Sequence, residues 1–356
     1  MTKIEKSVYG QLPDGRTVSA FTFVDGENQA VILDYGGVIQ SLSVPDRNGV
    51  ATDVLLGYDG IDGYLNNGGY LSALIGRFGN RIDKGSLTID GVSYDLYKND
   101  RGNHLHGGKV GFDKKIWDTE IVAYEGGEKL KLTLFSPDGE ENYPGNLTVT
   151  VVYTLENGAL GIEYTALSDR KTAINLTNHA YFNLSGCLTG RDILDHELTI
   201  AAPYIAPTDE TLIPHGELRA VQGTPFDFNT PKTVGEGDQA RESDPDLKKG
   251  GGYDHCFVFE KGRNTKLPYA TLYSPVSGIE MKCYTDMPAV QLYTGQGLKQ
   301  TGKGGVKYPR CGALCLETEA IPNNVNVPAY AAYGSSVYGA GEVYHFFAKY
   351  AFSARK

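Results

Sequence analysis

The sequence predicts an all-β fold, either a sandwich or a closed barrel. Short segments that alternate apolar and polar residues recur along the chain, whereas segments with the 3.6-residue period of a helix are scarce. The chain also contains 45 glycines and 24 tyrosines in 356 residues, which is typical of many strands joined by tight turns. Both observations favour an all-β sandwich or a closed barrel.

The predicted strands, in chain order, cover residues 17–23, 29–33, 38–44, 130–135, 147–155, 160–167, 172–179, 198–201, 270–273, 279–285, 289–294, 313–317 and 344–352. The clearest hairpin joins 147–155 to 160–167, because Asn157-Gly158 is suited to a tight turn. A weak helix is predicted within 60–74, where an Asn-Gly-Gly run opposes helix formation.

One segment interrupts this pattern. Residues 234–252 contain few apolar side chains, so they are predicted to form a long surface loop. Strand-like sequence resumes directly afterwards at 256–259, and no stretch reads as a linker. Residues 1–356 are therefore expected to form a single domain.

Charge and composition limit the possible partners. The net charge is −10 and the basic residues are scattered, so nucleic acid is not an expected partner. No stretch approaches the roughly 18 apolar residues of a membrane span, and the first residues lack the apolar core of a signal peptide. A cytoplasmic protein without membrane contact is expected.

The five cysteines are expected to be reduced and buried, because their number is odd and their spacing is wide. Cys311 and Cys315 are four residues apart, but no second pair completes a tetrahedral zinc site. No metal and no cofactor are predicted.

The most informative stretch surrounds His179. If residues 174–179 are extended, Asn175, Thr177 and His179 share one face of the strand. An imidazole titrates close to neutral pH and can therefore give or take a proton. A lone histidine is nevertheless more often a structural residue, so the assignment depends on other groups.

Four further places concentrate polar groups. The loop at 76–81 carries Arg77, Asn80 and Arg81, which are suited to bind oxygen atoms. The segment at 102–108 carries two histidines, at 104 and 106, that would share one side of an extended chain, but no further metal ligand stands nearby.

The other two places are acidic. Asp254 lies where the polar segment 234–252 returns to strand, either as a turn cap or as an acceptor for sugar hydroxyls. Glu317 ends an apolar strand, where a buried carboxylate must face a cavity or a partner, so it is the best candidate for a general base. Gln291 and Tyr293 share the face of a neighbouring strand.

These residues fall into ordered blocks that resemble the signatures of the aldose 1-epimerase family. The blocks are Asn80-Arg81-Ile82, Leu105-His106-Gly107-Gly108, Thr177-Asn178-His179-Ala180-Tyr181-Phe182-Asn183-Leu184, Tyr253-Asp254-His255 and Leu316-Glu317-Thr318. The chain departs from the usual pattern at Gly79, where Ala is usual, at Cys256 after Asp254-His255, and at Glu319, where Gln is common.

The resemblance implies a large antiparallel β-sandwich with few short helices and an open cleft. It also implies interconversion of the α and β anomers of free aldohexoses such as galactose or glucose, without a cofactor, by a monomer or a homodimer. By motif, His179 would be the general acid and Glu317 the general base. The groups expected to position the sugar are Asn80, Arg81, His106, Asp254 and Gln291.

Mutarotation requires one proton to leave O1 while another reaches the ring oxygen O5. We expect Glu317 to take the O1 proton and charged His179 to protonate O5. One alternative is a hexose-6-phosphate mutarotase, in which Lys248 and Lys249 would bind the phosphate. A second is a carbohydrate-binding protein without turnover, and a third is a glycoside hydrolase or lyase. The hydrolase would need a second well-placed carboxylate.

Overall fold

The computed structural model describes residues 1–66 and 68–356. In it, strands form where buried and exposed side chains alternate along the sequence. The first strands in chain order are β1 (Lys3–Gln11), β2 (Thr17–Asp25), β3 (Asn28–Leu33), β4 (Ile39–Pro45), β5 (Ala51–Asp53), β6 (Leu74–Ile75), β7 (Arg81–Ile82), β8 (Ser86–Ile89), β9 (Val92–Asp95), β10 (His104–Leu105), β11 (Asp118–Tyr124), β12 (Gly127–Ser136), β13 (Leu147–Glu156) and β14 (Ala159–Ser168).

The strands of the second half are β15 (Thr172–Ala173), β16 (Thr177–Asn178), β17 (Glu197–Ile200), β18 (Tyr204–Ala206), β19 (Arg219–Ala220), β20 (Lys232–Thr233), β21 (Asp254–Val258), β22 (Ala270–Tyr273), β23 (Ile279–Thr285), β24 (Ala289–Tyr293), β25 (Cys315–Glu319), β26 (Val337–Tyr338) and β27 (Val343–Ala354). The α-helices in the described residues are α1 (Ile61–Asn66), α2 (Val234–Gln239) and α3 (Pro245–Gly250). Short 3₁₀ segments lie at Asp83–Gly85, Phe112–Lys114, Glu140–Asn142, Lys303–Gly305 and Pro328–Tyr333.

Three antiparallel sheets dominate the fold. The large sheet has nine strands in the order β11-β12-β13-β14-β27-β23-β22-β17-β20, and the N-terminal sheet runs β1-β2-β3-β4-β5. A third sheet, called here the cleft sheet, has the order β19-β18-β21-β24-β25. The remaining strands form the two-stranded ladders β6/β16, β7/β10, β8/β9 and β15/β26.

The hydrophobic core lies between these sheets. Val149, Val151 and Tyr153 alternate inward along β13, while Val290 and Leu292 enter the same cluster from β24. Burying an aliphatic side chain of this size contributes about 1.5–3 kcal/mol. The apolar face of the cleft sheet is therefore fixed against the core, and its other face is free to carry polar groups.

Strand register gathers those polar groups. Gln291 of β24 lies opposite Glu317 of β25 and, on its other side, opposite Cys256 of β21. Tyr293 lies between Asp254 and Cys315 in the same way. Because alternate residues of a strand point to one face, these side chains share the side of the sheet away from the core.

The predicted β-sandwich is confirmed, and the 147–155/160–167 hairpin is present as β13 and β14, joined at Asn157-Gly158. The five cysteines are free and buried, as expected. Helix α1 falls inside the predicted 60–74 segment. No helix in the described ranges is long and apolar enough to cross a membrane.

The prediction of a loop at 234–252 is wrong, because this segment forms α2 and α3. Thr233 and Glu236 form a capping box at the start of α2. Asp244 caps α3, and Gly251 ends it in the left-handed region with φ 68°. Local capping thus compensates for the low apolar content of this segment.

The predicted strand at 172–179 is also shorter than expected. It contains only β15 and β16, and both of its faces are buried, so it is not the half-exposed strand that its alternation indicates. Asn175 accepts from the amide of Ala320 and donates to the carbonyl of Gly79. Side-chain hydrogen bonds therefore replace part of a regular ladder here.

Candidate active site

An open cleft of about 310 Å³ lies against the polar face of the cleft sheet. Six of the predicted site residues line it together, although they come from separate parts of the chain. They are Asn80, Arg81, His106, His179, Asp254 and Glu317. Its volume and polar lining are suited to a small hydroxylated molecule.

His179 and Glu317 form the centre of the cleft. The Nε2 atom of His179 lies 3.7 Å from Oε1 of Glu317, and both side chains are almost fully buried. The main chain of His179 is fixed by hydrogen bonds with Ser72 and Ala73, and Glu317 is held within β25. An imidazole and a carboxylate at this separation can each reach one of two oxygens bonded to the same carbon.

Burial opposes charge on both groups. It lowers the pKa of His179 to about 4. It also raises the pKa of Glu317 well above the ordinary value, an effect increased by Glu319 and Asp254 and opposed by Arg81. Burial therefore favours neutral His179, in contrast to the charged form expected for proton donation to O5.

Aromatic rings hold the plane of this imidazole. Tyr181 stacks on His179 with a centroid distance of 4.9 Å and an interplanar angle of 14°. Tyr70 lies nearly parallel at 6.0 Å, and Tyr293 approaches edge-on at 6.2 Å. A fixed ring plane reduces the reorganisation needed when a proton is exchanged.

Asn80 sets the protonation of the second imidazole. Its backbone amide donates to Nδ1 of His106 at 3.0 Å, so the single proton of neutral His106 must lie on Nε2. Burial lowers the pKa of His106 well below its ordinary value, and His179 and Arg81 lower it further. His106 is therefore a neutral hydrogen-bond donor on the cleft wall.

Arg81 lies between two carboxylates. Its Nε donates to Asp100 at 2.8 Å, and its Nη1 is 3.9 Å from Asp254. Burial by itself lowers the pKa of Arg81, but Asp254 and Asp100 more than compensate and raise it. Arg81 is thus a fixed cation in the cleft.

Gln291 lies behind Asp254 and is not among the residues that line the cleft. Its side-chain amide donates to Asp254 Oδ1 at 2.6 Å, and Gln291 itself is buried. Gln291 therefore contacts Asp254 and does not itself reach the cleft, where it was expected to position the sugar.

Glu319 is a second buried carboxylate on the face of β25 that carries Glu317. Asn80 Nδ2 donates to Glu319 Oε1 at 2.9 Å, while Oε2 has no partner among the described residues. Burial raises the pKa of Glu319 to about 8. Burial therefore favours a protonated, uncharged Glu319 side chain.

His106, His179 and Glu317 each bring a potential metal-ligand atom within 4.8 Å of the others. Metal binding through Nε2 of His106 would require the proton to move to Nδ1, which already accepts the Asn80 amide. The donor set therefore fits a cation poorly, and metal-free activity stays a prediction.

Two residues from the predicted polar loops lie elsewhere. Arg77 is buried and donates to the carbonyl oxygens of Ser136, Pro137, Pro144 and Gly145, so it holds loops together. His104 contacts the Tyr143 hydroxyl at 2.6 Å and does not line the cleft. The extended segment that contains His104 ends at His106, whose φ is 50°. Because the backbone turns there, the side chains of His104 and His106 do not share one face as predicted.

Sequence reasoning did not identify several residues of the cleft wall. Tyr70, Arg101, Leu212 and Gln296 line the cleft from irregular segments, and no local motif marks them. Tyr181 belongs to the stretch around His179, but its stacking role is not visible in strand alternation. Aromatic residues close to a candidate histidine are the signal that could have found it.

Comparisons with known proteins identify the family of the chain. The sequence model of the family described as Aldose 1-epimerase matches residues 19–350. Over 333 residues the chain is 42% identical to the galactose mutarotase of Homo sapiens and 41% identical to that of Bos taurus. Each alignment covers 93% of this chain and 94% of the relative.

A solved structure is also similar. Galactose 1-epimerase from Lactobacillus acidophilus NCFM matches with a TM-score of 0.87 and 27% identity over 100% of both chains. Fold and relatives together define a carbohydrate epimerase, which is an isomerase. More narrowly, the chain belongs to the aldose 1-epimerase family.

Proposed function

We propose that this protein is a mutarotase that interconverts the α and β anomers of a free aldohexose such as galactose or glucose. The observation that carries the proposal is the buried pair His179 and Glu317, 3.7 Å apart in a cleft of about 310 Å³. The names of the relatives, galactose mutarotase and galactose 1-epimerase, support the same reaction and the same sugar class.

In the proposed reaction, Glu317 accepts the O1 proton while His179 delivers a proton to O5, and the C1–O5 bond breaks. The open aldehyde turns about the C1–C2 bond, and closure reverses both transfers. A positioned acid and a positioned base each contribute on the order of 10² to 10⁴ in rate. Because each proton is returned, the catalyst ends in its starting state.

For this reaction, His179 and Glu317 must share one exchangeable proton, in addition to the proton that stays on Nδ1 of the imidazole. A carboxylic acid with a neutral imidazole holds as many protons as a carboxylate with an imidazolium. Burial favours the first arrangement, since it raises the pKa of Glu317 and lowers that of His179. Hydroxyl groups of a bound sugar replace lost solvation, and the proton then moves to His179.

The remaining polar groups bind the sugar away from C1. His106 donates through Nε2, Arg81 supplies a fixed cation, and Asp254 accepts from hydroxyl groups. Asn80 and Gln291 hold these groups through hydrogen bonds. Both anomers must fit the cleft, so sugar preference comes from contacts to O2 through O6.

The hexose-6-phosphate alternative has less support. Lys249 donates to the carbonyl of Thr208 at 2.8 Å and approaches Asp246, and neither Lys248 nor Lys249 lines the cleft. Among the residues that line the cleft, Arg101 donates to the carbonyl of Glu210 and Arg81 is paired with Asp100, so both cations already have partners. A free sugar is therefore the preferred substrate.

Polarimetry of freshly dissolved α-D-galactose and α-D-glucose tests the proposal. The rate of approach to the equilibrium rotation should increase in proportion to protein concentration, and EDTA should not change it. Sugar binding without acceleration would instead indicate a carbohydrate-binding protein. Faster turnover of galactose 6-phosphate or glucose 6-phosphate than of the free sugars would favour the alternative substrate class.

We also propose that residues 1–356 act as one cytoplasmic domain, monomeric or homodimeric, without nucleic-acid or membrane partners. One hydrophobic cluster uses residues from Ile4 to Tyr350, which supports a single folding unit. The net charge of −10 disfavours nucleic acid. Sedimentation analysis separates monomer from dimer.

A further inference from the structure

The edge of the His179 ring opposite the Glu317 contact faces a cysteine. The Sγ atom of Cys315 lies 3.3 Å from Nδ1 of His179. Cys315 is fully buried at the start of β25, two residues before Glu317 and on the same face of the strand. One strand therefore contacts both edges of the imidazole, through a thiol on one side and a carboxylate on the other.

Stacking alone cannot distinguish the two edges of this ring. Tyr181 and Tyr70 lie nearly parallel to His179, at 14° and 17°, so they fix its plane. A ring turned over by 180° would keep both of these contacts. The Cys315 sulfur breaks this equivalence, because the observed orientation places Nδ1 against sulfur and Nε2 towards Glu317.

The proton on the imidazole must lie on the correct nitrogen for the proposed reaction. To exchange protons with the sugar, Nε2 has to alternate between a lone pair and an N–H bond. Neutral His179 therefore has to keep its proton on Nδ1, and an acceptor at Nδ1 favours that tautomer.

We propose that Cys315 is a positioning residue whose sulfur accepts the Nδ1–H of His179 and so leaves Nε2 free to exchange protons with the sugar. This inference rests on the proposed function, since it assigns Cys315 a part in the same acid–base step. Cys315 does not contact the substrate, because it does not line the cleft.

A thiol at this position can accept the Nδ1–H bond of His179 while staying uncharged, which a carboxylate would not do. Burial raises the pKa of Cys315 well above its ordinary value, and Glu317 and Asp254 raise it further, so the sulfur stays uncharged. A carboxylate at this position would stabilise the imidazolium and raise the pKa of His179. The thiol orients the ring while leaving His179 a ready proton donor.

The tautomer can be measured in the unmodified protein. Nitrogen-15 NMR of histidine-labelled protein at pH 7, without sugar, distinguishes Nδ1–H from Nε2–H imidazoles. Comparison with a His179→Asn sample assigns the signal. A proton on Nδ1 of His179 is expected, whereas a proton on Nε2 would overturn the proposal without any substitution at Cys315.

Substitution then tests the role in turnover. Cys315→Ala removes the acceptor and should lower kcat by about tenfold to a hundredfold with KM changed by less than about twofold, together with a larger population of the Nε2–H tautomer. Cys315→Ser keeps an acceptor and should recover most of the loss. The matched controls are Cys283→Ala and Cys283→Ser, which alter a buried cysteine of the large sheet.

The outcomes separate this inference from the proposed function. If the unmodified protein does not accelerate mutarotation, the proposed function fails, and the tautomer measurement still decides whether sulfur positions the ring. If the unmodified protein is active and Cys315→Ala keeps its kcat, the inference is wrong. A loss of kcat in Cys315→Ala without a tautomer change would also refute it, since packing alone would then explain the loss.

Discussion

Two histidine–glutamate pairs have opposite surroundings in this protein. His345 and Glu163 lie on the outer face of the large sheet, 2.9 Å apart and about half exposed. His179 and Glu317 lie 3.7 Å apart and are almost fully buried. Water screens the charges of the exposed pair, so this ion pair contributes little to the stability of the fold. The buried pair has displaced pKa values, so burial rather than proximity prepares a pair for proton transfer.

The largest expected difference between the two pairs is in turnover. Glu317→Gln and His179→Asn should each lower kcat by a factor of about 10² to 10⁴, because each removes one proton-transfer group. Glu163→Gln and His345→Asn are the matched controls and should leave kcat unchanged. Polarimetry with galactose measures the rates, and circular dichroism checks the fold. A near-normal rate in either cleft variant would remove that residue from the mechanism.

Substitutions in the core of the large sheet should lower stability and leave turnover unchanged. Ile162 is buried beside exposed Glu163, and Ile162→Ala should lower the free energy of unfolding by about 2–5 kcal/mol through lost contacts and a cavity. Denaturant unfolding measures this loss, while kcat below the melting temperature should stay unchanged. Glu163→Ala serves as the control. A fall in kcat for folded Ile162→Ala would show that the sheet and the cleft are coupled.

Asp254 tests how the cleft binds the sugar. Asp254→Ala removes an acceptor near Arg81 and should reduce kcat/KM by about tenfold to 150-fold, which corresponds to a loss of about 1.5–3 kcal/mol in transition-state stabilisation. Most of this loss should appear in KM, since Asp254 lies away from the reacting carbon in the proposed complex. Asp254→Asn keeps the acceptor for Gln291 and should lose less. Unchanged kinetics in Asp254→Ala would exclude sugar contact at this residue.

Glu319 should make stability depend on pH. Its pKa is raised to about 8 in the folded protein, so folding takes up a proton between the unfolded value and pH 8. The resulting stability is present at acidic pH and is lost as the pH rises towards 8. Glu319→Gln should therefore reduce the fall in melting temperature between pH 5 and 8 by several degrees. Parallel melting curves for the two proteins would contradict this expectation.

The smallest effect is expected at Lys248. Its side chain is exposed and does not line the cleft, so Lys248→Ala should change stability by less than about 0.5 kcal/mol. Kinetics with galactose should also be unchanged. A selective loss of turnover with a hexose 6-phosphate would instead support the phosphate alternative. Lys171→Ala, at another exposed lysine, is a suitable control.

The long strands could be predicted because their alternation is strong and their turns carry clear signals. Strands β1 and β11 were missed because most of their side chains are exposed or only partly buried, so apolar alternation is weak. The low apolar content of residues 234–252 predicts a loop, whereas side-chain caps start short helices at 234–239 and 245–250. Thr233, Glu236 and Asp244 mark both helix starts in the sequence.

The site was predicted in part. Motif order identified His179, Glu317, His106, Arg81 and Asp254, all of which line one cleft. Sequence alone could not show that the Arg77 guanidinium and the His104 imidazole are committed to structural contacts, because their neighbours come from distant segments. The rim residues were missed for the same reason.

Asn80 connects three parts of the cleft through a left-handed backbone with φ 63°. Its amide holds His106, its side-chain nitrogen holds Glu319, and its side-chain oxygen accepts from the amide of Arg81. A change at one of these three contacts would therefore shift Asn80 and disturb the other two. Changes in sugar preference during evolution should therefore accumulate at the loop-borne rim, where Arg101, Leu212 and Gln296 can vary while the reaction chemistry below them is preserved.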